Sequence, residues 1–263
     1  MATLVTFHAH PDDESIATGG VMAKASDEGH RVVLVVATKG EHGEVAEGFL
    51  NEGEALWERR VRETEACAEI LGVARVGFLG YVDSGMIGTP ENDVPESFWQ
   101  ADVDEAAARL AAVLTEEKAD VLTVYDENGG YGHPDHIQVH RVGIRAAELA
   151  GTPRVYMNTI NRDHLRRSME AAIEAGEVPG DISMDDLSTL GVPEERITTT
   201  VDVRPWLVRK RAAMAAHASQ IGETSFFLAM APDMFEAGFG WEWFIRCDGP
   251  PGLVETDLFD GLG

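Results

Sequence analysis

Short runs of consecutive apolar residues alternate with longer amphipathic stretches along the first half of the chain. Residues 4–9, 31–37, 76–79 and 121–125 read as strands, because short apolar runs bounded by turn residues suit strands covered on both faces. Between and after them, residues 16–28, 54–71, 106–117 and 134–149 place apolar side chains at helical spacing. Gly29, Gly72 and Gly151 stand where three of these helices should end. The pattern weakens beyond Gly151. Residues 155–158 and 197–203 read as strands, 163–175 and 205 to about 219 as helices, and the tail from Gly249 is Gly/Pro-rich and then acidic. No repeat, low-complexity run or linker interrupts the chain, so a single domain is expected. Strands alternating with helices predict an α/β, Rossmann-like fold: a mostly parallel sheet with helices on both faces. In such sheets ligands bind beyond the carboxyl ends of the strands. The loops that follow the first four strands are the polar ones, including residues 38–44 and 83–95.

Two of those loops carry unusual chemistry. The first strand runs into His8-Ala9-His10-Pro11-Asp12-Asp13-Glu14, and the fourth is followed by Gly129-Gly130-Tyr131-Gly132-His133-Pro134-Asp135-His136. Imidazole nitrogen and carboxylate oxygen are ligands for zinc and similar ions, and catalytic sites use three protein ligands plus water. His10 and Asp13 can offer two ligands from one turn. Adjacent side chains on a turn diverge, so one aspartate can bind metal while its neighbour faces the water. The competing reading is that Asp12, Asp13 and Glu14 only cap a helix and favour its positive end. The second cluster favours a site: His133 suits an N-cap, Pro134 the first helical position, and His136 then lies one turn in. His136 and His140 also form an HxxxH pair, a rival ligand set. His8 shares a strand face with His10 and reads as a packed neighbour. Elsewhere the alternatives stay open. Arg60 lies in a charged helical stretch that suits a salt-bridged face, and Asp83 precedes Ser84-Gly85 as a turn residue would. Trp241, Trp243 and Phe244 suit either a sugar platform or core. His217 suits either a packed helix position or an active site.

Composition narrows the partners. A formal net charge of −25 weighs against nucleic acid and anionic membranes. Cys67 and Cys247 form no CxxC pair and read as plain buried thiols. The N-terminus runs straight into a strand, with no basic n-region and no long apolar run, which predicts no signal peptide, no membrane span and a cytoplasmic protein. A non-catalytic sugar- or nucleotide-binding module would need glycines where His10-Pro11-Asp12 stands. A two-metal phosphoesterase would need a second carboxylate cluster.

His10-Pro11-Asp12-Asp13-Glu14 and His133-Pro134-Asp135-His136 together resemble the two signature words of the LmbE-like, or PIG-L, family of zinc-dependent N-deacetylases. Val82-Asp83-Ser84-Gly85-Met86, the stretch 125–132, Ala216-His217-Ala218-Ser219-Gln220 and Glu255-Thr256-Asp257-Leu258 resemble its mycothiol branch, with the weakest match over 151–200. The resemblance implies a single domain over 1–263, with a Rossmann-like core at 1–150 and a substrate-shaping part at 151–263. It implies Zn2+, with Fe2+ as the alternative ion, held by His10, Asp13 and His136. Asp12 would be the general base. His133 would stabilise the oxyanion or protonate the leaving amine, Tyr131 would polarise the amide carbonyl and Asp135 would orient His133. Arg60, Glu44 and Asp83 would contact substrate. The expected activity is removal of an N-acetyl or related acyl group from an N-acetylglucosamine-type conjugate, a small-molecule partner, and a homo-oligomer is allowed. The alternative is an amidase acting on mycothiol S-conjugates or a natural-product amide. The amidase branch has a lysine soon after the first word, where this chain has Ile16-Ala17-Thr18.

Overall fold

A computed structural model describes residues 1–174 and 186–262. Seven strands form one sheet: β1 (Thr3–His8), β2 (Arg31–Val36), β3 (Arg75–Phe78), β4 (Val121–Tyr125), β5 (Arg154–Thr159), β6 (Thr199–Asp202) and β7 (Trp241–Arg246). Their spatial order is β3-β2-β1-β4-β5-β7-β6. The first five are parallel, and β7 joins antiparallel to both β5 and β6.

Helices connect the parallel strands. α1 (Asp13–Ala17) and α2 (Gly19–Asp27) follow β1, α3 (Leu56–Leu71) follows β2, α4 (Val103–Glu117) follows β3 and α5 (Pro134–Ala150) follows β4. α6 (Arg162–Glu174), α7 (Leu207–Ala216), α8 (Phe226–Ala229) and α9 (Pro232–Phe239) lie in the second half. Strand alternation divides the core. Val5, Phe7, Val33, Val35, Leu122 and Val124 pack on the side of α4 and α5. Leu4, Val32, Leu34, Val36 and Val121 pack on the side of α2, α3 and α7. Both faces are buried, which is why these strands read as unbroken apolar runs rather than alternating ones. Gly143 sets how closely α5 approaches: a Cβ there would lie 2.2 Å from Val124 Cγ1.

From β1 the chain runs outward through β2 to β3, then crosses back to β4 on the other side of β1 and continues outward to β5. Ligand crevices of open α/β sheets form at such a reversal, here beyond the carboxyl ends of β1 and β4. Those two ends carry the histidine–aspartate clusters.

Several elements differ from expectation. Residues 16–28 are two helices, not one, because the backbone breaks at Thr18. The helix expected over 205–219 ends at Ala216, where His217 accepts backbone N–H bonds from Gln220 and Ile221 and turns the chain. The last residue of the helix expected over 163–175, Ala175, lies outside the described residues. Cys67 is buried as expected, whereas Cys247, just past the end of β7, is exposed. The Trp241-Trp243-Phe244 cluster is strand β7, with Phe244 in the core. Its period was masked because Glu242 faces inward. That carboxylate is 3% exposed and accepts from the N–H groups of Gly20 and Val21 and from Lys210 Nζ. Among the described residues, no helix is long and apolar enough to cross a membrane.

Candidate active site

β1 ends at His8 and α1 begins at Asp13, so four residues turn the chain over the sheet edge. The N–H of His10 donates to Asp13 Oδ2 at 2.9 Å, which folds the aspartate back beside the imidazole. At the other wall, His133 caps α5: its Nδ1 accepts the N–H of Asp135 at 3.1 Å. His136, one turn in, stacks on Tyr125 with ring centroids 4.4 Å apart. Its Nδ1 donates to the carbonyl of Gly129 at 3.2 Å, which leaves Nε2 as the free nitrogen. That contact needs glycine: Gly129 has φ +62°, and a Cβ there would sit 2.5 Å from His136 Cβ.

Asp13 Oδ2 lies 3.4 Å from His10 Nδ1 and 3.4 Å from His136 Nε2. Two ligands on one tetrahedral ion, with bonds of about 2.0–2.2 Å, stand roughly 3.3 Å apart. Each of these two pairs therefore stands at the separation expected of two ligands on one divalent cation. His10, His133 and His136 also each place a ring nitrogen within 4.8 Å of the others. Behind His10, Nε2 faces Asp135 Oδ2 at 3.1 Å and Asp83 Oδ1 at 3.5 Å. A carboxylate behind an imidazole is how metal-binding histidines are held in one tautomer. Burial opposes ionisation of Asp13, but the charge of His136 and hydrogen bonds from His10 and His136 hold its carboxyl well below the usual range.

Asp12 is held differently. Burial lifts its carboxyl to about 6, opposed by the Arg60 guanidinium 3.3 Å from Oδ2. Burial, then the neighbouring charges of His10 and His136, push His133 down to about 4. Tyr131 places its hydroxyl 3.4 Å from His136 Nε2, and the residue as a whole is 47% exposed at the mouth. Burial of the hydroxyl and the Asp13 charge raise its pKa, so it is a proton-bearing donor at neutral pH.

The structure brings His10, Asp12, Asp13, Tyr131, His133, Asp135, His136 and Asp83 into one crevice. It alters two of the expected contacts. The carboxylate of Asp135 turns towards Ser84, accepting its N–H at 2.9 Å and its hydroxyl, and towards His10. What meets the His133 ring is the Asp135 backbone N–H, one of the free donors of a helix first turn. Arg60 does not lie on a solvated face. It is 3% exposed, and donates to the carbonyls of Gly40 and Pro11 as well as to Asp12. Glu44 is exposed on the loop after β2, its carbonyl accepting from Gln220 Nε2. Asp83 accepts the N–H of Gly85, as a turn residue does, while also facing His10. His8 bonds Tyr125 and Thr18 beneath the crevice. His140 directs Nδ1 to the Tyr125 carbonyl, and the converging histidines are His10, His133 and His136. Ser84 and Tyr125 were not foreseen: the one lay within a turn motif, the other closed an apolar strand.

Comparison with known proteins finds similarity along most of the chain. Residues 5–147 match the family described as PIG-L: GlcNAc-PI de-N-acetylase. A protein of Geodermatophilus obscurus named 1D-myo-inositol 2-acetamido-2-deoxy-alpha-D-glucopyranoside deacetylase is 42% identical, covering 98% of this chain and 97% of the relative. An Acidothermus cellulolyticus protein of the same name is 41% identical over 99% of this chain and 95% of its own length. Among solved structures, the N,N'-diacetylchitobiose deacetylase of Pyrococcus horikoshii superposes with a TM-score of 0.57 at 22% identity, covering 99% of this chain and 86% of that one, and so shares the fold. With both signature clusters meeting at one sheet edge, and with this match across most of its length, the chain belongs to the PIG-L family of de-N-acetylases.

Proposed function

We propose that the chain is a metal-dependent hydrolase that removes the N-acetyl group from an N-acetylglucosamine-type conjugate. The GlcNAc-inositol named for its relatives is the leading substrate. The observation that carries this reading is Asp13 Oδ2 equidistant from two imidazoles, with a second, differently held aspartate beside it. His10, Asp13 and His136 would hold Zn2+, or Fe2+ in its place, which when bound acidifies a water and polarises an amide carbonyl.

The chain's own groups do the rest. Asp12, lifted to about 6, is ionised at neutral pH yet basic enough to take a proton from water. His133 is neutral there, and because Nδ1 accepts from the Asp135 N–H, its proton sits on Nε2. It therefore serves as a hydrogen-bond donor to the developing oxyanion, joined by the Tyr131 hydroxyl. The proton for the departing amine then comes back from Asp12. A phosphate ester is disfavoured, because Asp12, Asp13 and Asp83 all face the crevice.

The part of the chain at 151–263 reads as substrate-shaping. The N–H of Gly191 donates to the Gly130 carbonyl at 2.9 Å, beside Tyr131, and Gln220 reaches the loop at Glu44. The test is metal analysis combined with amine release from N-acetylglucosamine, its inositol conjugate, chitobiose and a mycothiol S-conjugate. Release from the inositol conjugate is expected. Phosphate release from simple esters, with no amine release from any amide, would overturn the reading.

A further inference from the structure

Asp12 is one of two described non-glycine residues with positive φ, at +104° with ψ −34°. Such a backbone is strained and persists only where its surroundings over-determine it. Here each polar group of the residue is held. The carbonyl accepts from the N–H of Ser15 at 3.0 Å and from Ser15 Oγ at 2.7 Å. The carboxylate faces Arg60 Nη2 at 3.3 Å. The N–H donates to Glu14 Oε2 at 3.0 Å.

Glu14 is itself anchored in the core. Its Oε1 accepts from His217 Nε2 at 2.7 Å, and both side chains are 0% exposed. The thiol of Cys67, on α3, reaches the same carboxylate. Glu14, Cys67 and His217 could be taken for a second metal site. The 2.7 Å contact argues otherwise, since it is a hydrogen bond and shorter than the roughly 3.3 Å between two ligands of one ion.

We propose that Glu14 and His217 are positioning residues: His217, fixed at the end of α7, holds Glu14, and Glu14 holds the Asp12 backbone in its strained conformation so that the carboxylate points at the reacting water. The inference rests on the reading of Asp12 as the general base. It explains why a carboxylate–imidazole pair lies buried directly beneath the catalytic turn. It also gives α7 a role in catalysis without contact to substrate.

The test uses the metal-loaded protein. Glu14→Leu removes the acceptor, and an angstrom-scale misplacement of a reacting group costs roughly a hundredfold in rate. The expectation is a fall of that size in kcat, with KM and bound metal unchanged. Glu14→Gln should restore most of the rate. Its amide oxygen can still accept from Asp12, and its amide N–H can face His217 Nε2 once the imidazole proton moves to Nδ1. In an Asp12→Ala background, Glu14→Leu should cost nothing further, because residues acting as a unit are non-additive. Equal losses in both backgrounds, or a loss matched by lost metal, would overturn the proposal. A second measurement needs no activity: NMR of the metal-loaded wild type should show an exchange-protected Asp12 amide and carbon shifts of positive φ. A freely exchanging Asp12 amide would sink the proposal. An inactive enzyme with this signature intact would count against the deacetylase reading alone.

Discussion

Asp12 and Asp13 are neighbours of identical chemistry, and their surroundings give them opposite tasks. Asp13 sits between two imidazoles, which favour its charge, whereas Asp12 is desolvated against a single buried guanidinium. Asp12→Asn is expected to lower kcat by about 10²–10⁴ while metal analysis still finds the ion. His136→Ala is expected to lose the metal itself, and with it all turnover, which metal analysis after gel filtration would show. Retained metal in His136→Ala would remove that residue from the ligand set. Chelation of the wild type should abolish amine release, and added Zn2+ or Fe2+ should restore it. Ser84→Ala withdraws a hydroxyl from the fully buried Asp135 carboxylate. A buried acceptor left short of a partner costs about 1–3 kcal/mol, so its denaturation midpoint should fall visibly at unchanged denaturant slope. The residue types and order of the two clusters were legible in the chain because the residues within each cluster lie close together in sequence. Ser84, Glu14 and the true partner of Asp135 were not, because each contact joins loops or helices far apart in the chain.

Two elements govern how those residues meet. The loop from Asp126 to Gly132 carries Tyr131 and the carbonyl that fixes the His136 tautomer. Asp126 is 1% exposed and accepts the N–H groups of Asn128 and Gly130, while its other oxygen accepts the Thr159 hydroxyl. Gly129→Ala combines a positive φ with a Cβ 2.5 Å from His136 Cβ, so the loop must shift. The expected result is weaker metal binding by competition with a chelator and a lower thermal midpoint; unchanged metal affinity would mean that the loop does not set the His136 orientation. α3 is the second element. Its buried stripe of Arg60, Glu63, Thr64, Cys67 and Leu71 reads from sequence as half charged surface, yet it floors the site. Arg60 holds Pro11 and Asp12, Cys67 meets Glu14, and Glu63 accepts the N–H and hydroxyl of Ser219. Helical periodicity showed that α3 existed. It could not show that the polar residues faced inward, because propensity and spacing carry no information about what covers a face.

At the scale of the molecule, a formal charge of −25 imposes self-repulsion on the compact state. Salt shortens the reach of that repulsion, from about 10 Å at 0.1 M to about 3 Å at 1 M. The thermal midpoint of the metal-loaded protein should therefore rise between those NaCl concentrations by more than in sucrose of matched osmolarity; a flat response would show that the charges are already locally paired. The sequence by itself determined the parallel α/β core, its strand order of appearance, the two metal-capable clusters and the family resemblance. These follow from local periodicity and from metal-capable residues crowded within a few positions in each cluster. Only the tertiary structure decided that β7 completes the sheet, that Arg60 is buried, that Asp135 faces His10, and that Glu14 and His217 brace the Asp12 turn. Each of those depends on a charged group being paid for by a partner distant in the chain, and a buried charge looks the same in sequence as a solvated one until its partner is in place.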